Sequence, residues 1–303
     1  MTVYEAKTMQ ICEIKENTVV ALGTFDGCHS GHASVLQNAF YKAKALGLKS
    51  VAYTFDTVAV KGQELIMTLD EKIKAIRKFG VDYIAVEDFE RVRSLNGEEF
   101  FDTVLTGELC ALYATCGFNY RFGKGASCSA EDLNEFFEKI GGSVCISPKI
   151  TAENEAISST LIREKIKQGD VESILGFSSP YSIYAEVIRG KGMGKGLGMA
   201  TVNQQIPNGK VVPHTGVYIT ECQIGEDVYP SVTNVGYRPT TDGENGRLNV
   251  ETHIIGYDGE LYGSCLRVAF YKRLRDEKRF DSFDELVSQV ELDKKSAVGY
   301  FLH

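Results

Sequence analysis

The chain lacks three features that would each define a class of protein: a long apolar run, a basic region and closely spaced cysteine pairs. A membrane-spanning helix needs about 18 or more consecutive apolar residues, and no such run occurs. The first residues include acids and no apolar core segment, so they do not resemble a secretory signal. Low-complexity segments and internal repeats are also missing. We therefore expect a cytoplasmic protein with no membrane association.

The balance of charge argues against a polyanionic partner. The net charge is −8 at pH 7, and neither half of the chain is basic. Nucleic-acid binding is disfavoured, because it normally needs a basic surface. Small anions remain possible ligands, because local backbone amides and a few cations are enough to bind them. We expect small-molecule partners and a monomer or weak homo-oligomer.

The cysteines show neither a disulfide framework nor a zinc site. None is spaced C-x-x-C, and several lie inside apolar runs. Buried free thiols in a reducing compartment are the expectation. The eight are Cys12, Cys28, Cys110, Cys116, Cys128, Cys145, Cys222 and Cys265.

With 303 residues the chain is long enough for two domains. From residue 18 to residue 169, apolar runs typical of strands alternate with segments of helical periodicity. This alternation with short links predicts a parallel sheet with helices on both faces. Ligands of such sheets bind beyond the carboxyl ends of the strands. Residues 23–32 and 117–125 both fall at such ends.

The pattern changes after Gly176. Short, tyrosine-rich β segments separated by glycine and asparagine turns predict an antiparallel barrel or sandwich, and residues 282–302 predict a final helix. We place the boundary in residues 176–182, which gives domains 1–176 and 177–303.

Two of the five histidines lie three residues apart in the glycine-rich stretch LGTFDGCHSGH. It precedes a predicted helix, whose free N–H groups and positive dipole end favour an anion. Gly23, Gly27 and Gly31 allow tight turns and close approach to a ligand. His29 and His32 can then face one phosphate group. The alternative is a loop whose two histidines have no chemical role, and the stretch is neither a P-loop nor a G-x-G-x-x-G motif.

A second anion-binding pattern occurs in ISSTLIR, residues 157–163. Ser158, Ser159 and Thr160 stand at a predicted helix start, with Arg163 one turn further on. Hydroxyls and a guanidinium beside a helix N-terminus suit a polyphosphate. A serine-capped helix with a surface arginine is the alternative.

The second half contains glycine at every second position from Gly190 to Gly198. Such a run weakens a strand but suits backbone amides that line a phosphate chain; otherwise it is a flexible hairpin. Beyond it, Thr201 and Asn203 offer two neutral oxygens on one side of a strand, which with phosphate oxygens can hold Mg²⁺.

Glu251 is a single acid in the middle of an apolar strand. A buried carboxylate is unfavourable unless it is paired or used, so Glu251 is a candidate general base. Alternatively, it faces solvent on an antiparallel sheet.

Taken in order, these motifs resemble the bacterial bifunctional riboflavin kinase/FMN adenylyltransferases, or FAD synthetases, over roughly residues 15–300. The first half alone resembles the H-x-G-H nucleotidyltransferases. The segments that carry the resemblance are GTFDGCHSGH, GFNYRFGKG, ISSTLIR, LGFSSPYSI, GKGMGKGLGMATVN, TGVY, TNVGYRPT, VETHIIGYDGELYG and LRDEKRFDSFDEL.

The resemblance implies a Rossmann-like α/β nucleotidyltransferase domain followed by an antiparallel β-barrel riboflavin kinase domain with a C-terminal helix. The second would transfer the γ-phosphate of ATP to riboflavin, giving FMN. The first would join FMN to the adenylyl group of ATP, giving FAD and pyrophosphate. ATP, riboflavin, FMN and Mg²⁺ are the implied substrates and cofactor, and both reactions rest on positioning and charge stabilisation.

The resemblance also implies roles for individual residues. In the first domain, His29 and His32 would stabilise the adenylyl-transfer transition state. The residues implied to bind ATP there are Gly23, Phe25, Gly27, Gly31, Ser159, Thr160 and Arg163, and those implied near the flavin or nucleotide are Asn119, Arg121 and Phe122. In the second domain, Glu251 would be the base and Arg275 would contact riboflavin. There the ATP phosphates would meet Gly192, Gly194, Lys195, Gly196 and Gly198, and Mg²⁺ would meet Thr201 and Asn203.

The sequence departs from the family pattern at several positions. The usual PTAN is ATVN at residues 200–203, the usual F-[DE]-P-H-P is missing after Phe55, an aspartate of G-x-D-F-R-F-G is Asn119, and a glycine is Ala185. Two of these four changes, the missing P-H-P and Asn119, fall in the first half, which would carry the adenylyl transfer. Two alternatives therefore stay open: a riboflavin kinase with a weakened or lost adenylyltransferase, and a non-catalytic flavin- or nucleotide-binding regulator.

Overall fold

The structure, a computed structural model, describes residues 1–56, 64–152, 155–188, 201–237 and 248–302. The chain divides into two compact units, Met1–Leu161 and Ile162–His303. The glycine run, with the predicted ATP-binding positions Gly192, Gly194, Lys195, Gly196 and Gly198, lies outside the described residues.

The helices and strands follow in chain order. The strands are β1 Thr2–Glu5, β2 Thr18–Leu22, β3 Lys49–Phe55, β4 Tyr83–Glu87, β5 Ala111–Gly117, β6 Arg121–Phe122, β7 Cys128–Ser129, β8 Ser143–Ser147, β9 Thr151–Ala152, β10 Glu155–Ala156, β11 Ser182–Ile188, β12 Thr201–Gln204, β13 Gly216–Ile224, β14 Asp227–Tyr237, β15 Leu248–Ile254 and β16 Cys265–Arg275. The helices are α1 Ser30–Leu46, α2 Leu69–Arg77, α3 Phe89–Val92, α4 Gly97–Phe100, α5 Ala130–Lys139, α6 Ser159–Gln168 and α7 Phe283–Phe301.

The first unit is built on a six-stranded sheet of order β1-β4-β3-β2-β5-β8. The five strands from β4 to β8 in this order are parallel, as predicted. The edge strand β1 pairs antiparallel with β4, which the sequence analysis did not predict. All five residues of β2 are buried, because helices cover both faces of the sheet.

Alternate residues of β2 face two separate apolar clusters. Val19 and Ala21 pack with residues of α1 and α2. Val20 and Leu22 pack on the other face with α5 and with the helix that follows α4. This alternation arises because successive strand side chains point to opposite faces, and it confirms the prediction of helices on both sides.

Local signals in the sequence determine where the helices begin and end. Thr68 and Glu71 form a capping box at the start of α2. Gly47 ends α1 with φ of 67°, a left-handed conformation that glycine adopts without strain. Residues 96–109 form one of the segments of helical periodicity, and the helix there begins as α4 and continues as a π-helix, Phe101–Glu108. π-Helical turns are rare and carry no clear sequence signature, so periodicity alone did not predict this one.

The second unit contains a closed antiparallel barrel of order β11-β12-β15-β14-β13-β16, which agrees with the predicted antiparallel architecture. Its interior holds a chain of threonine hydroxyls: Thr220 contacts Thr233 at 2.7 Å, and Thr233 contacts Thr252 at 2.9 Å. Gln204 reaches across from β12 and donates to the carbonyls of Ala185 and Leu266. These bonds satisfy polar groups that a wholly apolar barrel would not contain.

Helix α7 is bound to the outside of the barrel by apolar packing and by an ion pair. Ala297 packs against Val217, Ile219 and Val232. At the end of β16, the guanidinium of Arg275 donates to both carboxylate oxygens of Asp293, the shortest contact being 2.7 Å. The Asp293 side chain is 6% exposed, so the pair is largely removed from water.

Asp293→Ala should destabilise the second unit by on the order of 3 kcal/mol, because it leaves the Arg275 charge buried without its partner. Thermal unfolding followed by circular dichroism measures the change. Lys295→Ala, at an exposed position of the same helix, is the matched control. Equal midpoints for the two variants would contradict the role given to the ion pair.

Candidate active sites in the two units

The structure brings the two histidines of the glycine-rich corner together. His29 caps α1, and its Nδ1 accepts a hydrogen bond from the backbone N–H of His32 at 3.4 Å. The two imidazole rings stack, with centroids 3.8 Å apart. Phe25 meets His32 edge-on, with centroids 5.5 Å apart. Both rings therefore lie at the N-terminus of a 17-residue helix, where free N–H groups favour an anion.

Burial sets the protonation state of His29. Removal from water lowers the pKa of His29 to about 4, while the nearby carboxylate of Asp26 acts in the opposite direction. At neutral pH this ring is therefore uncharged. Because Nδ1 accepts a hydrogen bond, the ring proton lies on Nε2, so His29 can donate one hydrogen bond to a phosphate oxygen.

The backbone of the corner is held in a sparsely populated conformation. Phe25 and Cys28 have positive φ values of 51° and 39°, and Gly27 has φ of 86°. Such conformations in non-glycine residues are concentrated at functional sites. Gly31 is required for a different reason, since a Cβ there would lie 3.0 Å from the His29 ring.

His29 should stay neutral down to about pH 5. Its folded pKa lies below the usual 6.5, so its contribution to stability is complete above pH 6.5 and is lost as pH falls toward 4. NMR titration of the imidazole signals, assigned with His29→Gln, measures this pKa. Titration of His29 near pH 6.5 would contradict the buried, neutral ring.

Gly31→Ala should impair chemistry at the corner, because the added methyl group displaces the His29 ring. The adenylyl transfer that the resemblance implies should fall about tenfold with little change in fold, because the displaced ring loses part of the roughly 10²–10⁴-fold that a positioned acid or base contributes. Gly299→Ala is a matched control at another helical glycine, where an added Cβ meets nothing within 4 Å. Equal adenylyl-transfer rates in the two variants would argue against a precise position for His29.

Asp26 connects the corner to two other segments, a role that the sequence analysis missed. Its carboxylate accepts from the backbone N–H groups of Ile66 and Met67, at 3.1 and 2.9 Å. Its carbonyl accepts from the Ser159 hydroxyl at 2.8 Å. The two predicted anion-binding patterns therefore meet at the start of α6, with Thr160 next in the chain and Arg163 one turn further along the same helix.

Lys72 is a second functional candidate that the sequence analysis missed. Its side chain is 1% exposed, and its amine donates to the carbonyl of Phe55 at 3.0 Å. Burial lowers the pKa of Lys72, and the carboxylates of Asp26 and Asp56 oppose that shift. A helical periodicity predicts that this position is buried, but only the fold shows that a carboxylate lies beside it.

The second predicted ligand segment of this unit lies at the same edge of the sheet. Strands β2 and β5 are parallel neighbours, so Leu22 and Gly117 end side by side. Asn119 follows directly. Arg121 is exposed on β6, whereas the Phe122 ring is 6% exposed and packs against other aromatic rings.

The accessible aromatic side chain of that loop is Phe118. It is 46% exposed and lies directly beyond the end of β5. The family resemblance implies Phe122, whose ring is largely buried, and not Phe118. Exposure at a strand end could not be derived from residue type.

In the second unit the predicted metal and base residues lie on adjacent strands. Thr201 and Asn203 alternate along β12, so they share a face. Asn203 pairs in register with Glu251 on β15. Glu251 is half-buried, on the face opposite the buried Thr252. The structure therefore supports neither of the extreme environments, full burial or full exposure, for this carboxylate.

The oxygen atoms of this face fit a magnesium ion that also binds phosphate. Asn203 is held by a hydrogen bond from Asn249 at 3.1 Å, which orients its carboxamide. Mg²⁺ prefers oxygen ligands and usually keeps substrate phosphates and waters in its shell. Among the residues that the structure describes, no group of three or more His, Cys, Asp and Glu side chains could hold a metal ion by itself.

Arg275, predicted to contact riboflavin, has most of its donors occupied. Nε and Nη2 bind Asp293, and Nη1 donates to the carbonyl of Asp276. Its guanidinium also lies 6.0 Å from the centroid of the Phe280 ring. The geometry thus makes Arg275 an anchor for α7 as well as a candidate ligand residue.

The described cysteines are all free, as expected. Three of them are buried, namely Cys28, Cys116 and Cys222. The Cys28 thiol lies inside the corner, 3.3 Å from the Phe25 carbonyl, and burial raises its pKa to about 12.

The fold, with one cluster of candidate phosphate-binding residues in each of two units, is that expected of a transferase. Comparison with protein families matches residues 11–161 to FAD synthetase and residues 177–301 to riboflavin kinase. The bifunctional riboflavin kinase/FMN adenylyltransferase of Bacillus subtilis strain 168 is 33% identical, over 96% of this chain and 95% of the relative. The chain therefore belongs to the bifunctional riboflavin kinase/FMN adenylyltransferase family, as its ordered motifs predict.

A second curated relative carries the same description, and one solved structure has a similar fold. The protein of the same description from Listeria monocytogenes is 30% identical, over 94% of this chain and 93% of the relative. A crystal structure described as a macrolide-efflux protein from Streptococcus pneumoniae has a TM-score of 0.82 at 29% identity, and covers 97% of this chain and 96% of its own. In the part of this chain that the structure describes, no helix is both long and apolar enough to cross a membrane.

Proposed function

We propose that this chain converts riboflavin to FMN and FMN to FAD, using ATP in both steps. The observation that carries the proposal is the presence of two separate sites, each built for phosphate chemistry. The stacked His29 and His32 lie at a helix N-terminus in the first unit. Asn203 and Glu251 lie side by side on the barrel of the second. We assign adenylyl transfer to residues 1–176 and riboflavin phosphorylation to residues 177–303.

Adenylyl transfer needs no covalent enzyme intermediate. A phosphate oxygen of FMN bonds to the α-phosphorus of ATP, and the bond from that phosphorus to the pyrophosphate oxygen breaks. His29 donates through Nε2, and His32 stands against it, so both can stabilise the charge that develops on the phosphate oxygens. Ser159, Thr160 and Arg163 hold the triphosphate, with backbone N–H groups near Gly23, Phe25, Gly27 and Gly31.

Phosphorylation requires removal of one proton. The 5′-hydroxyl oxygen of riboflavin bonds to the γ-phosphorus of ATP, ADP leaves, and Glu251 accepts the hydroxyl proton. Thr201 and Asn203 would hold Mg²⁺, which neutralises phosphate charge when bound. Asn249 keeps the Asn203 oxygen directed for this purpose. Phosphate contacts from Gly192, Gly194, Lys195, Gly196 and Gly198 complete the proposed site.

The same assignment leads to proposals for the flavin contacts, the cellular location and the partners. Asn119, Arg121 and Phe122 are proposed for the first unit and Arg275 for the second, with Phe118 as an accessible neighbour. We propose that the protein works in the cytoplasm as a monomer or weak homo-oligomer, with small molecules and no nucleic acid as partners.

A kinase without effective adenylyl transfer is the second candidate. It is favoured by Asn119 in place of the family aspartate and by the loss of the family P-H-P after Phe55. Purified protein with riboflavin, ATP and Mg²⁺, analysed by chromatography, separates the candidates. FAD formation supports two activities, FMN accumulation supports the kinase alone, and flavin binding without turnover supports a regulator.

Glu251→Gln should abolish FMN formation and leave adenylylation of supplied FMN intact, because it removes only the base of the second unit. His32→Ala should have the reverse effect. Initial rates of both reactions, measured on each purified variant, test this independence. Loss of both activities from either single substitution would count against two independent sites.

A further inference from the structure

The proposed reaction gives no role to two side chains of the barrel, Asn234 and Glu277. Asn234 lies on β14 directly opposite Glu251. Asn203 lies opposite Glu251 on the other side, on β12. Residues opposed in antiparallel strands have Cβ atoms about 4.5–5.5 Å apart on one face of the sheet. Glu251 therefore stands between two carboxamides.

Each carboxamide is fixed by a further side chain. Asn249 donates to Oδ1 of Asn203 at 3.1 Å. Asn234 donates through Nδ2 to Oε1 of Glu277, also at 3.1 Å. An amide bound in this way loses a hydrogen bond if it rotates, so its orientation is restricted. Each flank of Glu251 is thus held by one hydrogen bond with an unrelated segment, a buried bond at Asn203 and an exposed bond at Asn234.

Gly236 provides the space that Glu277 occupies. It lies two residues beyond Asn234 on β14, so the two positions share a face. A Cβ at Gly236 would collide with the Glu277 carboxylate. The backbone of Gly236 is not left-handed, so space and not conformation requires glycine there. Gly236 belongs to TNVGYRPT and Glu277 to LRDEKRF, two segments far apart in the sequence.

Building on the proposed kinase function, we propose that Asn234 is a positioning residue for Glu251. Glu277 is the acceptor that fixes the Asn234 amide, and Gly236 leaves room for Glu277. A fixed amide beside Glu251 limits the directions that its carboxylate can take, and so keeps it aligned with the substrate hydroxyl. This effect acts on turnover more than on substrate binding, because misalignment of a reacting group raises the barrier directly.

Alanine variants test the pair. Asn234→Ala and Glu277→Ala should each lower kcat for FMN formation about tenfold and change KM for riboflavin and ATP less than about twofold. Glu277→Gln keeps an acceptor oxygen and should recover most of the rate that Glu277→Ala loses. Lys278→Ala, at the next and exposed position, is the matched control. Thermal unfolding of the same preparations, followed by circular dichroism, reports whether the barrel of each variant is folded.

A double variant that exchanges donor and acceptor between positions 234 and 277 distinguishes a positioning role from a purely structural one. Asn234→Asp places a carboxylate against that of Glu277 and should lower kcat as the alanine variants do. Adding Glu277→Gln to it restores the hydrogen bond with donor and acceptor exchanged and should recover part of kcat, because a carboxylate at position 234 still faces Glu251. This comparison also decides the case if the alanine variants unfold at a lower temperature than the unaltered chain.

Unchanged kcat in both alanine variants overturns the proposal, as does a loss that the exchanged pair fails to recover. A rise in riboflavin KM at constant kcat also overturns it, because that result makes the pair a binding element. If the unaltered chain forms no FMN, the proposed kinase function fails, and this inference fails with it.

Discussion

The pairing of β2 with β3 on one side and β5 on the other determines where chemistry can take place in the first unit. Parallel neighbours end at a common edge, so the loops that follow β2 and β5 must emerge together. The corner that carries His29 is one of these loops. Its helix then packs on one face, where the apolar residues of α1 cover the sheet. Burial of that helix fixes the position of the imidazoles at its end.

Buried polar groups hold the segments around each candidate site in position. The Asp26 carboxylate accepts backbone N–H groups from the segment before α2, and its carbonyl accepts the Ser159 hydroxyl. The carboxylate of Asp26 would oppose a triphosphate bound at the proposed site, and the buried amine of Lys72 offsets the charge of that carboxylate. In the barrel, Asn249 orients Asn203 by donating a hydrogen bond to its carboxamide oxygen. Both sites thus depend on side chains that are not themselves expected to touch substrate.

The sequence predicted the architecture well, because the signals for it are local and repeated. Alternating periodicities predicted the parallel sheet, and turn-separated β segments predicted an antiparallel barrel or sandwich, which the family resemblance narrowed to a barrel. Pairs within a short stretch, such as His29 with His32, could also be derived. The contact of Ser159 with Asp26 joins residues more than 100 positions apart, and no spacing rule connects them. The edge strand β1 and the π-helix were missed, because neither has a distinctive pattern.

The buried Cys28 makes the corner observable without any substrate. Its thiol is 8% exposed, hydrogen-bonded to the Phe25 carbonyl and protonated at neutral pH, whereas Cys265 is exposed. A thiolate is the reactive species, and a buried thiol reacts only after the surrounding structure opens. The rate at which an alkylating reagent reaches Cys28 therefore measures how often the loop that holds the two imidazoles unfolds locally. Alkylation of Cys28 thus reports the local stability of the loop that this residue helps to pack.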